Sequence, residues 1–280
     1  MYDKTTLAEV VTENVTRALT EDVGSGDVSA SLIDPKKHAE ATVITREDGV
    51  FCGRPWVTET ATQVNPAIEI QWQVEDGDLV KANQQLFSLA GPAASLLTAE
   101  RTMLNFVQLL SGTATRTREY VALLADSQCQ LLDTRKTIPG MRIAQKYAVA
   151  CGGGTNHRTG LFDAYLLKEN HIAAAGSITE AVLWARQQNA DLTLEVEVEN
   201  LTELEEAIAA GADIAMIDNF TIADSITAVA MAADKIKLEA SGGITEASIT
   251  EIAATGVDYI SIGDLTKTVK PLDLSMRFSE

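Results

Sequence analysis

The sequence predicts an α/β protein in which parallel strands covered by helices close toward a barrel, preceded by a small antiparallel sheet domain. Beyond residue 125, short apolar strands alternate with helical stretches, as parallel strands joined by crossover helices require. Nearly every one of those strands ends on a polar residue or glycine, which is how a barrel collects its chemistry at one face. Before residue 92 the pattern is alternating instead, with acid–glycine turns.

Residues 5–19 (TTLAEVVTENVTRAL) fit a short amphipathic helix. The glycine-rich TEDVGSGDVSASL that follows carries Glu21, Asp22 and Asp27, and is open to a solvated loop or a metal loop. HAEATVITREDGVFCG at 38–53 predicts two strands hinged at Glu47-Asp48-Gly49, and residues 67–91 a second pair hinged at Asp76-Gly77. From Ala93 to about Ala125 the pattern is helical. Leu96, Met103, Leu104, Phe106 and Leu110 lie on a broad apolar surface around Arg101, and Ser111-Gly112 is expected to break or bend the helix. The expected division is an N-terminal domain at 1–115, a barrel at 116–270, and a tail at 271–280 returning to the first domain.

Strands are expected at 129–133, 165–168, 192–198, 214–218, 236–240 and 259–263. Helices are expected near 141–151 and at 178–188, 201–211, 221–233 and 245–256. Ala-Gly-Ala-Asp at 210–213 and Thr-Gly-Val-Asp at 255–258 close two of them with a glycine C-cap. An open dinucleotide-binding sheet is disfavoured, because no G-x-G-x-x-G follows a strand; the glycines at 152–154 follow a helix. Asp133, Lys168, Glu197, Asp218, Ser241-Gly242-Gly243 and Gly263 mark the strand ends. Six strands are visible, so the barrel is either incomplete or holds one strand more.

The chain carries a net charge of -18, with 22 Lys and Arg against 40 Asp and Glu, which argues against nucleic-acid backbone as its partner. No apolar run is long enough to span a bilayer and MYDKTTLAEV lacks the apolar core of a signal peptide, so a cytoplasmic location is expected. Cys52, Cys129 and Cys151 lack the spacing of a zinc or dithiol site and are expected to be small buried hydrophobes.

Against that acidic background, residues 133–171 are locally basic: Arg135, Lys136, Arg142, Lys146, Arg158 and Lys168 stand against Asp133, Asp163 and Glu169. His157 and His171 lie here too. A basic pocket in an acidic chain points to a small anionic ligand. Arg101, Arg135 and Arg158 offer planar forks for carboxylates, while Lys136 and Lys168 offer point charges. Ser241-Gly242-Gly243 and the turn after Gly263 leave amides free, as phosphate sites do. Glu197 and Asp218, at the ends of neighbouring strands, could hold a divalent metal or face a developing positive charge. In EVEVE, Glu195, Glu197 and Glu199 share one side of an ideal strand, so an inward Glu197 brings its neighbours inward too.

RKTIPG at 135–140, GGG-x-NHR at 152–158, GL-x-D at 160–163, LLKENH at 166–171, EVEVE at 195–199, MIDNF at 216–220, EASGGI at 239–244 and YISIGDLT at 259–266 together resemble the quinolinate phosphoribosyltransferase family. LTEDVGSGDVS at 19–29 and LLTAERTMLNFVQLLSG at 96–112 extend the likeness over nearly the whole chain. The resemblance implies an N-terminal α/β sandwich domain and an incomplete α/β barrel, in a homodimer whose active sites draw on both subunits. It implies transfer of phosphoribose from phosphoribosyl pyrophosphate to quinolinate with Mg²⁺, giving nicotinate mononucleotide, pyrophosphate and carbon dioxide. By motif, Arg135, Lys136, His157 and Arg158 resemble the quinolinate-binding set, and Arg101 the arginine that reaches in from a partner subunit. Lys168 resembles the lysine near both substrates. Glu197 and Asp218 resemble the acidic pair facing the ribose and its metal, and Ser241, Gly242, Gly243 and Gly263 the 5′-phosphate loops. One departure stands near the C-terminus: the family commonly carries a small residue before LTHS, whereas this chain reads GDLTKT, with Asp264, Lys267 and Thr268. An acid there is expected to weaken or re-aim the phosphate contact.

Rival readings are a relative of the molybdenum-transport-associated type, an aldolase using Lys168 as a Schiff base, and a non-catalytic binder of anionic metabolites. Three arginines exceed what an aldolase needs, and a mere binder leaves the Glu197 and Asp218 pair without a purpose. Zinc hydrolysis lacks its ligand spacing and serine chemistry its nucleophile elbow.

Overall fold

A computed structural model of the chain describes residues 4–278. The chain divides into two compact units: one holds the described residues up to 118 with 137–153 and those from 264 onward, the other 119–136 and 154–263. The linear spans expected from sequence therefore interleave. The helix at 142–151 and residues 264–270 belong with the first unit.

In the first unit a four-stranded antiparallel sheet runs in the order β12-β1-β5-β3, built from β1 (His38–Thr45), β3 (Glu69–Trp72), β5 (Gln85–Pro92) and β12 (Leu274–Phe278). The two expected hairpins do not form. β1 pairs with β5 and β12, β3 pairs with β5, and the short β2 (Gly49–Val50) pairs with β4 (Leu79–Val80). The acids of the two turns explain the exchange. Asp48 accepts the Ala82 amide and the Lys81 ammonium, while Asp76 Oδ1 accepts the amides of Gly53 and Arg54. Asp76 thereby caps α2 (Arg54–Val64), a helix the alternating pattern conceals, with Pro55 in its first turn and Trp56 and Val57 wholly buried.

Helices cover one face of this sheet. Phe51, Val57, Leu86, Phe87, Leu89, Leu96, Met103 and Val107 form one core with Leu272 and with Leu274 of the C-terminal strand. A second core joins Val11 and Val15 of α1 (Lys4–Val23) to Trp56, Phe106, Leu110, Ala144 and Ala148. Each such fully buried large side chain contributes about 1.5–3 kcal/mol. The expected break at Ser111-Gly112 does not occur: α3 runs unbroken from Ala93 to Leu123. Gly112 serves a close approach instead, since a Cβ there would lie 2.2 Å from the Lys270 carbonyl oxygen.

In the second unit six parallel strands lie in the order β6-β11-β10-β9-β8-β7: β6 (Gln130–Leu132), β7 (Tyr165–Leu167), β8 (Leu194–Val198), β9 (Ile214–Asp218), β10 (Lys237–Ser241) and β11 (Tyr259–Ser261). The barrel is incomplete, since β6 and β7 are its two edges. Along β6 the glycine-rich loop forms a single parallel bridge between Leu132 and Thr155, with the Thr155 amide bonded to Leu131 and the Asp133 amide to Thr155. A repeated device sets the strand starts: Asp213 and Asp258, each two residues past a positive-φ glycine, accept the amides of Leu194 and Leu238 on the adjacent strand. Gly256 itself lies past the C-cap of its helix, which is Ala254, and not at it as its sequence context predicts. Gly211 takes the left-handed C-cap of α7 (Leu201–Ala210), as its sequence context predicts.

Among the described residues, no helix is long and apolar enough to cross a membrane. The cysteines are unpaired, Cys52 and Cys129 buried and Cys151 partly so. Asp27 caps the following turn through the Ser29 and Ala30 amides and takes the Thr98 hydroxyl, so that glycine-rich stretch is a pinned structural loop.

Candidate active site

Strand register puts the polar groups of the second unit on one side of the sheet. Leu166 pairs with Glu195, Glu197 with Met216, Glu239 with Met216 and Ser241 with Asp218. Paired residues in parallel strands face the same way and side chains alternate, so Glu195, Glu197, Asp218, Glu239 and Ser241 share a face, joined by Lys168 just past β7. The upper members of this set stand at the C-terminal strand ends.

Lys168 pairs with Glu197 across β7 and β8. The Lys168 amide donates to His171 Nδ1, which makes His171 a local cap for α5 (Glu169–Ala175). At the end of β9, Asp218 accepts from Asn219 Nδ2 at 2.8 Å. Asn219 adopts a left-handed φ of 57° and bonds its amide to the Ser241 carbonyl. Its side chain lies so close to Gly242 that a Cβ there would meet Asn219 Oδ1 at 2.2 Å. Gly242 (φ +95°) and Gly243 (φ +58°) thus give a turn no side chain could follow without strain.

On the β6 side, Asp133 is fully buried and accepts the backbone N–H of His157 at 2.9 Å. Lys136 is exposed, with its stem across Gly263, where a Cβ would lie 2.9 Å from Lys136 Cδ. Two candidates widely spaced in sequence, Lys136 and Gly263, therefore meet. Burial, and then the Arg135 guanidinium, push Arg158 below its ordinary value. Arg158 Nη1 donates to the Ala164 carbonyl, and Asp163 pins the loop by accepting the amides of Thr159 and Gly160. Burial raises the Asp163 pKa, but those amides outweigh it and leave it lowered.

The His157 ring points inward. Its Nε2 lies 2.7 Å from Glu195 Oε2 and 3.3 Å from Glu239 Oε2. Burial opposes charge on the ring and the two carboxylates favour it. The Arg158 backbone N–H aimed at Nδ1 at 2.7 Å requires a lone pair there, so the contact geometry describes the neutral ring with its proton on Nε2. Glu195 is pushed up to about 7, by burial first, with His157 acting downward and Glu239 upward. Arg101 is exposed on α3 in the first unit. In that unit Arg142 bonds the Thr137 hydroxyl and Lys146 is wholly buried. Asp264, the unexpected acid, opens the short α10 (Asp264–Lys267) and sits 3.5 Å from an Arg116 nitrogen.

Two sets of carboxylates bear on metal binding. Glu197 and Asp218 present hard oxygen donors at adjacent strand ends on one face, a donor set suited to Mg²⁺. His157, Glu195 and Glu239 bring three ligand-type atoms within 4.8 Å of one another, the one such grouping among the described residues.

Residues 16–111 match the family described as quinolinate phosphoribosyl transferase, N-terminal domain, and residues 113–277 match its C-terminal domain. The chain belongs to the quinolinate phosphoribosyltransferase family. It is 45% identical over 258 residues to a probable nicotinate-nucleotide pyrophosphorylase (carboxylating) of Bacillus subtilis, covering 91% of this chain and 89% of that one. It is 37% identical over 271 residues to the corresponding protein of Mycobacterium leprae, covering 94% and 95%. The structure of the nicotinate-nucleotide pyrophosphorylase from Francisella tularensis superposes with a TM-score of 0.95 at 50% identity, over 97% of each chain.

Within this family frame, sequence reasoning turned Glu195 inward with Glu197 but gave it no partner or role, and it missed Glu239 and the part played by Asn219. The signal for Glu195 was present in the alternation of EVEVE, because a buried strand that repeats glutamate must aim it somewhere. Glu239, a lone acid in the apolar KLEAS, carried the same signal more faintly.

Proposed function

We propose that this chain transfers the phosphoribosyl group of phosphoribosyl pyrophosphate to quinolinate, yielding nicotinate mononucleotide, pyrophosphate and carbon dioxide in NAD biosynthesis. The observation that carries this reading is Arg158 held beside the inward His157, with Arg135 on the same unit, whose strand ends hold the Lys168–Glu197 pair and Asp218. A planar dicarboxylate needs such a pair of forks, and the strand-end carboxylates suit a cationic sugar.

Arg135, Arg158, His157 and Lys136 bind the two quinolinate carboxylates and aim the ring nitrogen at ribose C1. The nitrogen lone pair forms the C1–N bond as the C1–O bond to pyrophosphate breaks, and that bonding pair leaves with pyrophosphate. Positive charge developing at C1 faces Glu197 and Asp218. The same two residues would hold Mg²⁺, which when bound neutralises charge on pyrophosphate. The positive charge of the quaternised ring nitrogen then stabilises the electron pair left at C2 as carbon dioxide departs, and that pair takes a proton from solvent. Lys168 acts through its charge and forms no covalent adduct; a borohydride-trapped adduct on Lys168 during turnover would refute this. Ser241, Gly242, Gly243 and Gly263 receive the 5′-phosphate through backbone amides. The working form is a cytoplasmic homodimer in which Arg101 enters the partner's site.

The deciding test is product formation from quinolinate and phosphoribosyl pyrophosphate with Mg²⁺, with nicotinic acid in parallel. Turnover of quinolinate alone, with stoichiometric carbon dioxide, is expected. Inactivity on both by folded protein would move the assignment to a relative with another nucleophile. For the shared site, mixing Arg101→Ala with Lys136→Ala should restore activity in heterodimers, and confirmed heterodimers without activity would refute it.

A further inference from the structure

The binding and transfer steps leave two buried carboxylates without a role. Glu195 and Glu239 are 2% and 0% exposed and rise from β8 and β10, on either side of β9. Glu195 Oε1 and both oxygens of Glu239 have no hydrogen-bond partner. Two carboxylates so buried repel one another and each is costly to desolvate, so the arrangement demands a donor or cation held against it.

That donor is the His157 ring, and the ring's other nitrogen decides what kind of cluster this is. A metal ion between the three residues would take the lone pair of Nε2, leaving the proton on Nδ1. Here Nδ1 accepts the Arg158 backbone N–H at 2.7 Å, so Nδ1 carries the lone pair and Nε2 the proton. The cluster is built to receive an N–H.

Its consequence reaches the substrate arginine. The loop bearing His157 is held outside by the Thr155 bridge to β6 and by Asp133, which takes the His157 amide. Inside, the ring's Nε2 bonds Glu195 and lies 3.3 Å from Glu239 Oε2, and its Nδ1 in turn binds the amide of the next residue, Arg158. We propose that Glu195 and Glu239 are positioning residues for the dicarboxylate substrate: they seat the His157 ring and thereby aim Arg158. The identity of that substrate rests on the function proposed above; the seating does not.

Two measurements test it. Steady-state kinetics compare Glu195→Ala and Glu239→Ala with the Gln variants, whose amide oxygen still accepts Nε2–H. The Ala variants should raise KM for quinolinate about 10–100-fold, with kcat and the KM for phosphoribosyl pyrophosphate within about 3-fold, and Gln should restore most of the loss. A fall in kcat alone, equal rises in both KM values, or Ala variants behaving as wild type would overturn it. Nitrogen-15 NMR of the wild-type chain needs no mutant to fold: His157 should show a protonated Nε2 and an acceptor-type Nδ1. A His157 ring carrying a proton on Nδ1, whether alone or together with Nε2, would overturn the seating directly. If the wild-type enzyme turns over no quinolinate, the substrate assignment fails while the NMR result still decides the seating.

Discussion

The buried carboxylate of Asp133 accepts the backbone N–H of His157 at 2.9 Å, so the end of β6 and the glycine-rich loop form one construction. Removing that acceptor leaves an amide unsatisfied inside the barrel edge. Asp133→Ala should cost about 1.5–3 kcal/mol in urea denaturation, and a variant as stable as wild type would show that the loop holds itself.

Lys168 and Glu197 pair at the strand ends, with 45% and 16% of their side chains exposed. Ion pairs this accessible contribute about 0–1 kcal/mol to stability. Lys168→Met should leave the melting midpoint nearly unchanged while kcat falls on the order of 100-fold. A large loss of stability with retained turnover would reverse the roles assigned here.

Gly242 occupies a left-handed φ against Asn219. Gly242→Ala adds a methyl where the Asn219 side chain and amide already stand and should strain the turn by about 1–3 kcal/mol. The KM for phosphoribosyl pyrophosphate should rise and that for quinolinate hold, measured with each substrate varied in turn.

The proposed metal role of Glu197 and Asp218 gives a further outcome. Chelation should abolish turnover, and Asp218→Asn should raise the Mg²⁺ concentration for half activity about 10-fold, read from a Mg²⁺ titration of rate. An unchanged titration curve would take Asp218 out of the metal set.

Asp163 sets a pH limit. Its pKa lies below the usual 3.8 because the Thr159 and Gly160 amides outweigh burial. A carboxylate depressed in the folded state stabilises above its unfolded pKa and loses that contribution as pH falls through the lower folded value. Amide exchange at Thr159 and Gly160 should therefore accelerate below about pH 3.8 in wild type, and in Asp163→Asn should be fast at neutral pH.

The second unit was largely legible in the sequence, and the first was not. Parallel strands buried on both faces announce themselves as short apolar runs, and IAMID at 214–218 matches its strand residue for residue. In the first unit, local alternation suggested neighbours that the fold does not pair. Asp48 and Asp76 resemble hairpin turns, yet their side chains bond partners far along the chain. Strand pairing is a long-range choice that turn residues alone do not settle. Of the site, the basic residues and strand-end acids were visible by charge. Glu195 could be turned inward with Glu197 from the alternation of EVEVE, but Glu239 could not, because a lone acid in a strand looks solvent-facing until register shows which face it occupies.

β1 has β12 as one of its two neighbours, and Arg46, just past β1, bonds Ser275, 229 residues away. On the ribosome, that edge of β1 stays open while all of the second unit is made. Synthesis thus leaves one edge of β1 unpaired for most of its duration, and a nascent chain stalled before residue 274 would be the form most prone to pair with a neighbour or to need a chaperone.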